Sequence, residues 1–206
     1  MTYFPDSTNN KADLAIACFK LLIIIACVSL LVVSLKEWII HTAVTNVFDP
    51  WLWTCNAVLI VLYLAAGGFF MFWFYALYRQ LYLESPQVLR VPPAWTVLGF
   101  SFPVANLFLP YVLVVKTWRR LKALKTAGRG DNTQFAAEPP RYFKVWWFSH
   151  LICFFAVPAA YVAALTGLND PQSEFAQVEL SAFAYVMVCV SALFAIRLVR
   201  ELKSFS

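Results

Sequence analysis

A chain of 206 residues that is 62% hydrophobic, 17% aromatic and only 13% charged does not have the makeup of a water-soluble domain, which carries about 25% charged residues. The shortfall is what a lipid-facing surface produces, because charge in hydrocarbon is costly, so the chain reads as an all-α, multi-pass membrane protein in a single domain. The net charge of +5 is no sign of nucleic-acid binding, since a basic excess in such a protein marks its cytoplasmic loops.

Residues 1–11 form a polar tail. An apolar run over 13–35 is long enough to cross about 30 Å of hydrocarbon as a helix. Lys20 lies inside it, and its stem can reach back to the near interface. Ile24-Ile25-Ala26-Cys27 has the look of a lipoprotein cleavage box. However, Lys20 interrupts the run and apolar residues continue to Leu35, so an uncleaved helix is expected. The connector 36–50 holds Trp38 and His41, and its Asp49-Pro50 step signals a helix start. A second helix is expected over 51–78. Its Gly67-Gly68 pair should mark a face where another helix packs. Its aromatic block over 69–75 should sit at the membrane interface.

After a polar loop over 79–93 comes the segment around which the chain is organised, residues 95–110. It is apolar enough for a membrane, yet broken by Gly99, Pro103, Asn106 and Pro110. Proline lacks a backbone donor and clashes one turn back, so Pro103 should end or kink any helix entering from Trp95. Asn106 could cap a second half-helix or bond to carbonyls that the proline frees. Irregular backbone at membrane depth is tolerated only where it is shielded, so the segment is expected to be re-entrant or interfacial. Trp95, Pro103, Asn106, Pro110 and Tyr111 are its candidate functional residues.

Over 111–127 a helical period places Tyr111, Val114, Val115, Trp118, Leu121 and Leu124 on one face. Lys116, Arg119, Arg120, Lys122 and Lys125 fall mostly elsewhere, and Gly128 offers a stop. This is a basic amphipathic helix of the interfacial kind. Its five cations are candidate contacts for anionic lipid headgroups. A hydrophilic loop over 129–140 follows. A third spanning helix is expected over 145–165, entered through the aromatic and basic residues 141–148 and kinked at Pro158. A fourth is expected over 178–198, closed by Arg197, Arg200 and Lys203.

Charge sets the topology. With four crossings and both termini cytoplasmic, the outer connectors 36–50 and 166–179 hold Lys36 against Glu37, Asp49, Asp170, Glu174 and Glu179. The remaining Lys and Arg stay inside, a strong positive-inside bias. A five-crossing alternative would move Lys11, Lys20, Arg79 and Arg90 outside and put Pro103 in mid-membrane. The expected location is the plasma membrane, with both termini on its cytoplasmic side.

The segment also carries a resemblance. Trp73, Tyr75 and Arg79, then Pro93-Ala94-Trp95, the run 102–111, Trp118-Arg119 and Trp146-Trp147 resemble a bacterial membrane family known as a domain of unknown function (number 4328). The likeness covers roughly residues 71–148, and Gln80 stands where the family's asparagine is expected. The resemblance implies a multi-pass membrane protein and no particular activity, so no catalytic residue is carried over.

Little else points to chemistry. Cys18, Cys27, Cys55, Cys153 and Cys189 form no C-x-x-C pair and are expected to be small buried hydrophobes. His41 and His150 fall at opposite membrane faces, so neither a metal nor a cofactor is expected. No hydrolase, protease, P-loop or dinucleotide fingerprint occurs. The leading expectation is a non-enzymatic interaction or accessory protein, or a lipid-associated scaffold. Its partners would be anionic lipids and a membrane protein or further copies of itself. The alternative is a small oligomeric transporter or channel with the broken segment near the substrate path. An enzyme acting on lipid is the weakest reading.

Overall fold

A computed structural model describes residues 6–40, 49–84, 86–127, 138–166 and 171–205. Among them the chain is helical without strands. The elements are α1 (Asp6–Ile40), α2 (Asp49–Glu84), the short α3 (Pro86–Leu89), α4 (Ala94–Ser101), a 3₁₀ turn (Ala105–Leu107), α5 (Leu109–Ala127), α6 (Arg141–Thr166) and α7 (Pro171–Lys203).

Four long helices, α1, α2, α6 and α7, form an antiparallel bundle. The pairing can be followed by contacts. Phe19 of α1 meets Phe70 of α2 edge-on at 6.1 Å, and Gln80 donates to the Thr8 hydroxyl nearer the end. On the other side of α1, Lys203 of α7 pairs with Asp13 at 2.6 Å. Higher up the same pair, the Cys27 and Cys189 sulfurs lie 3.9 Å apart. Tyr185 of α7 donates to the Asn56 side-chain oxygen of α2. One end of the bundle therefore gathers the start of α1, the end of α2, the start of α6 and the end of α7. We call it the basal end. The larger hydrophobic cluster lies there, with Trp73, Phe74, Tyr78, Phe143, Trp146 and Leu198 in its interior. A second cluster, around Leu22, Leu59, Cys153 and Val188, fills the middle.

The outside of the bundle is apolar. Val61, Leu64, Phe155 and Leu193 are all more than half exposed. In water each Å² of such a surface would forgo about 25 cal/mol of burial, whereas lipid tails would cover it. Three helical stretches among the described residues are long and apolar enough to cross a membrane: Ser7–Leu35, Thr54–Glu84 and Glu179–Lys203. The remaining expected span coincides with α6, which continues through Pro158 to Thr166.

Several local expectations change. The long helices overrun the apolar runs. Residues 79–84 continue α2 rather than opening a loop, because Arg, Gln, Leu and Glu are all good helix formers. The last helix starts at Pro171, a proline at the first helical position. The aromatic block therefore lies inside α2 rather than at its end, and Trp73 is 2% exposed, a core residue. Among the described residues the Gly67-Gly68 pair meets no closely packed helix, since a Cβ added at either would have no atom of another segment within 4 Å. Lys20 lies on the outer surface. Of the cysteines only Cys153 is buried, and Cys27 is exposed. His41, Gly128 and most of the loop 129–140 lie outside the described residues.

Candidate functional site at the basal end

Between α2 and α6 the chain leaves the basal end and returns to it, folding α4, the 3₁₀ turn and α5 into a hairpin. Its way in is set by α2. Arg90 adopts the left-handed conformation (φ 57°) and stops α3, its N–H bonding to the Pro86 carbonyl at 3.0 Å. The Tyr78 hydroxyl then donates to the Val91 carbonyl at 2.9 Å and pins the chain to α2. Thr96 closes the first turn of α4 by donating to the Pro93 carbonyl at 2.7 Å. From there α4 runs along α2 towards its middle. Phe100 packs edge-on against Phe70 at 5.6 Å and Phe74 at 6.3 Å. Those rings lie one to two turns beyond Tyr78, about 6–12 Å along the helix.

The turn follows the proline rule. α4 ends at Ser101, and Phe102 is extended (φ −93°, ψ 121°) immediately before Pro103, because the ring of a proline disfavours helical backbone in the residue before it. The turn then closes its own donors. The N–H of Asn106 bonds to Phe102 at 2.7 Å, Leu107 to Val104 at 3.2 Å and Phe108 to Ala105 at 3.2 Å. Pro110 is buried in the first turn of α5, where a missing N–H costs nothing. The two legs approach closely, since a Cβ on Gly99 would lie 3.0 Å from Leu109 Cδ2. The tip turns its apolar side outward. Phe102 is 64%, Val104 71% and Phe108 68% exposed.

The return leg, α5, is wedged into the basal end. Leu113, Val114, Trp118 and Leu121 are buried in the aromatic cluster, and Trp118 meets Phe143 of α6 at 6.0 Å. The Trp118 indole N–H donates to the Glu201 carboxylate of α7 at 3.4 Å. Lys125 donates to the Ser204 carbonyl at 3.3 Å. Beside them the Arg197 guanidinium sits 4.3 Å from the Tyr142 ring, an arrangement worth about 0.5–1 kcal/mol near a surface.

The sequence-derived candidates divide accordingly. Trp95 and Pro103 are exposed. Asn106 is 3% exposed. Its side-chain oxygen is buried without a partner among the described residues, so that atom does not cap α5. Tyr111 is half-buried against the core. Of the α5 cations, Lys116 is half-buried. Lys122 lies over the Trp118 ring at 4.9 Å and Lys125 over Phe205 at 5.2 Å, and Arg119 and Arg120 also have partners within the fold. The helix is amphipathic, but it is integrated into the bundle by its apolar face and by several of its charges. Glu201 was no part of the sequence reading, and Arg197 and Tyr142 entered it only as the close of one helix and the entry of another. Glu201 reaches Trp118 from far along the chain, and no local pattern announces such a pair.

The family described as Domain of unknown function (DUF4328) matches residues 36–204. The chain belongs to this family. The match takes in α2 to α7 nearly whole and most of the residues of the hairpin and its supports, while almost all of α1 precedes it. No curated protein and no solved structure is similar to the chain. Among the described residues no three His, Cys, Asp or Glu side chains are grouped to hold a metal ion.

Proposed function

We propose that this DUF4328 protein is a four-span protein of the bacterial inner membrane with both termini cytoplasmic. Its hairpin of α4 and α5 is re-entrant and serves as a fixed collar in a non-enzymatic role, as an accessory subunit or lipid-associated scaffold. The observation that carries this reading is the hairpin itself. Its two legs start and finish at one end of the bundle, its turn satisfies several of its own backbone donors, and its exposed tip is apolar. Irregular backbone survives at membrane depth only when its polar groups are closed internally or covered. The charges and aromatic rings of α5 tie it to α6 and α7, which suits a rigid part better than a moving gate.

One observation favours a second reading, a small transporter or channel working as a homo-oligomer. A buried amide oxygen without a partner, as at Asn106, is the kind of group that meets a substrate at the bend of a broken helix.

Native mass spectrometry of protein extracted gently from its own membranes separates the two. A polypeptide retained at fixed stoichiometry is the expected result and identifies the partner. A self-oligomer that carries a small solute, and loses it in Asn106→Ala, would replace the collar reading with transport.

A further inference from the structure

Away from the hairpin, on the opposite flank of α2, the basal ends of α1 and α2 enclose a surface groove of about 720 Å³. Pockets that hold small organic ligands span about 300–1,000 Å³. Its two halves differ in chemistry. Towards the basal end it is lined by Ser7, Thr8, Lys11, Arg79 and Gln80, with Leu83 at the rim. Further up the bundle the walls are Leu14, Phe69 and Phe72, and these three side chains are exposed along the apolar outer surface. Among the described residues no acid lines the groove, and the nearby Asp13 carboxylate is occupied by Lys203. The Gln80 amide nitrogen is held by Thr8 at 3.4 Å.

We propose that this groove binds one anionic phospholipid. Its phosphate lies between Lys11 and Arg79, and an acyl chain follows Leu14, Phe72 and Phe69. Two features select this occupant. Among the described lining residues no acid stands opposite the two cations, so the site favours negative charge. Charge and apolar wall succeed one another along the bundle axis, in the order in which headgroup and chain succeed one another in a leaflet. The basic helix α5, with the densest positive charge in the sequence, is the weaker candidate, because Lys122 and Lys125 are engaged with Trp118, Phe205 and Ser204. The inference rests on the proposed topology only in placing the groove in the cytoplasmic leaflet.

The test uses the full chain in nanodiscs of phosphatidylcholine doped with phosphatidylglycerol, read by native mass spectrometry. The wild-type protein retains one phosphatidylglycerol in preference to phosphatidylcholine. The Lys11→Gln/Arg79→Gln variant loses that preference by roughly five-fold per charge removed, with unchanged helicity by circular dichroism. Arg79→Lys keeps most of it, and Lys122→Gln/Lys125→Gln keeps all of it. Undiminished preference in the groove variant overturns the proposal. So does loss of preference only in the α5 variant, which moves the site to the basic helix. Retention of a second copy or another polypeptide with no lipid also overturns it, by making the groove a protein interface. Both leaflets of a nanodisc are alike, so this readout is independent of which way the protein faces in cells.

Discussion

At the scale of single residues, the glycines separate close packing from open space. Gly99 is where the hairpin legs touch, and the nearest atoms to an added methyl include the Leu109 Cβ at 3.3 Å, which cannot move without the backbone. Gly99→Ala should destabilise the protein by about 1–3 kcal/mol, the usual cost of overpacking. Gly67→Ala meets no neighbour, so the better helix propensity of alanine should leave stability equal or raise it by up to about 1 kcal/mol. Thermal unfolding of both variants in the same detergent checks the pair. If Gly67→Ala proved the more damaging, that face of α2 would be occupied by something outside this chain. Trp118 offers a third comparison. Trp118→Phe keeps the aromatic contact with Phe143 but removes the donor to Glu201. Losing that donor to the half-buried carboxylate should cost about 1–3 kcal/mol, read as a lowered melting temperature.

At the scale of elements, local backbone rules were the legible part. Pro103 ends α4 two residues ahead of itself, and Pro110 sits in the first turn of α5, as steric rules require of any proline. Helix ends were less legible, because a polar stretch such as 79–84 carries no stop signal and α2 runs on through it. The aromatic block of α2 holds a second pattern besides its composition: the spacing Phe70, Phe74, Leu77, Tyr78, Leu81 is a helical stripe, and in the structure that stripe is the core. Pairings between distant segments had no signature at all. Lys11 and Arg79 meet across a groove only because α1 and α2 are antiparallel, and the cations that the sequence advertises, on α5, are the ones the fold partly consumes. The single bond from Tyr78 to the Val91 carbonyl makes the hairpin testable as a unit. Tyr78→Phe should cost about 0.5–1.5 kcal/mol and raise amide hydrogen exchange across α4 more than across α1.

At the scale of the whole molecule, the hairpin decides the count of crossings. Glu84 ends α2 and Glu138 precedes α6, and both are exposed. Single cysteines at these two positions, in a background without the native cysteines, should be labelled by a membrane-impermeant thiol reagent from the same side of the membrane. A cysteine at Ser7 should share that side, and it should be the cytoplasmic one. Labelling of Glu84→Cys and Glu138→Cys from opposite sides would mean that 94–127 crosses, and the collar reading would fail with it.

The shortness of α4 also bears on how such a protein is made. Eight residues of helix extend about 12 Å, well under half of a hydrocarbon layer of about 30 Å. Such a leg cannot be handed to the bilayer as a span in its own right. Its resting place is the wall that Phe70 and Phe74 present on α2, and its partner leg is held by Phe143 and Glu201 from α6 and α7. On the proposed topology the longer helices have to be in place before the hairpin can seat, so that a segment from the middle of the chain is the last to reach its final position.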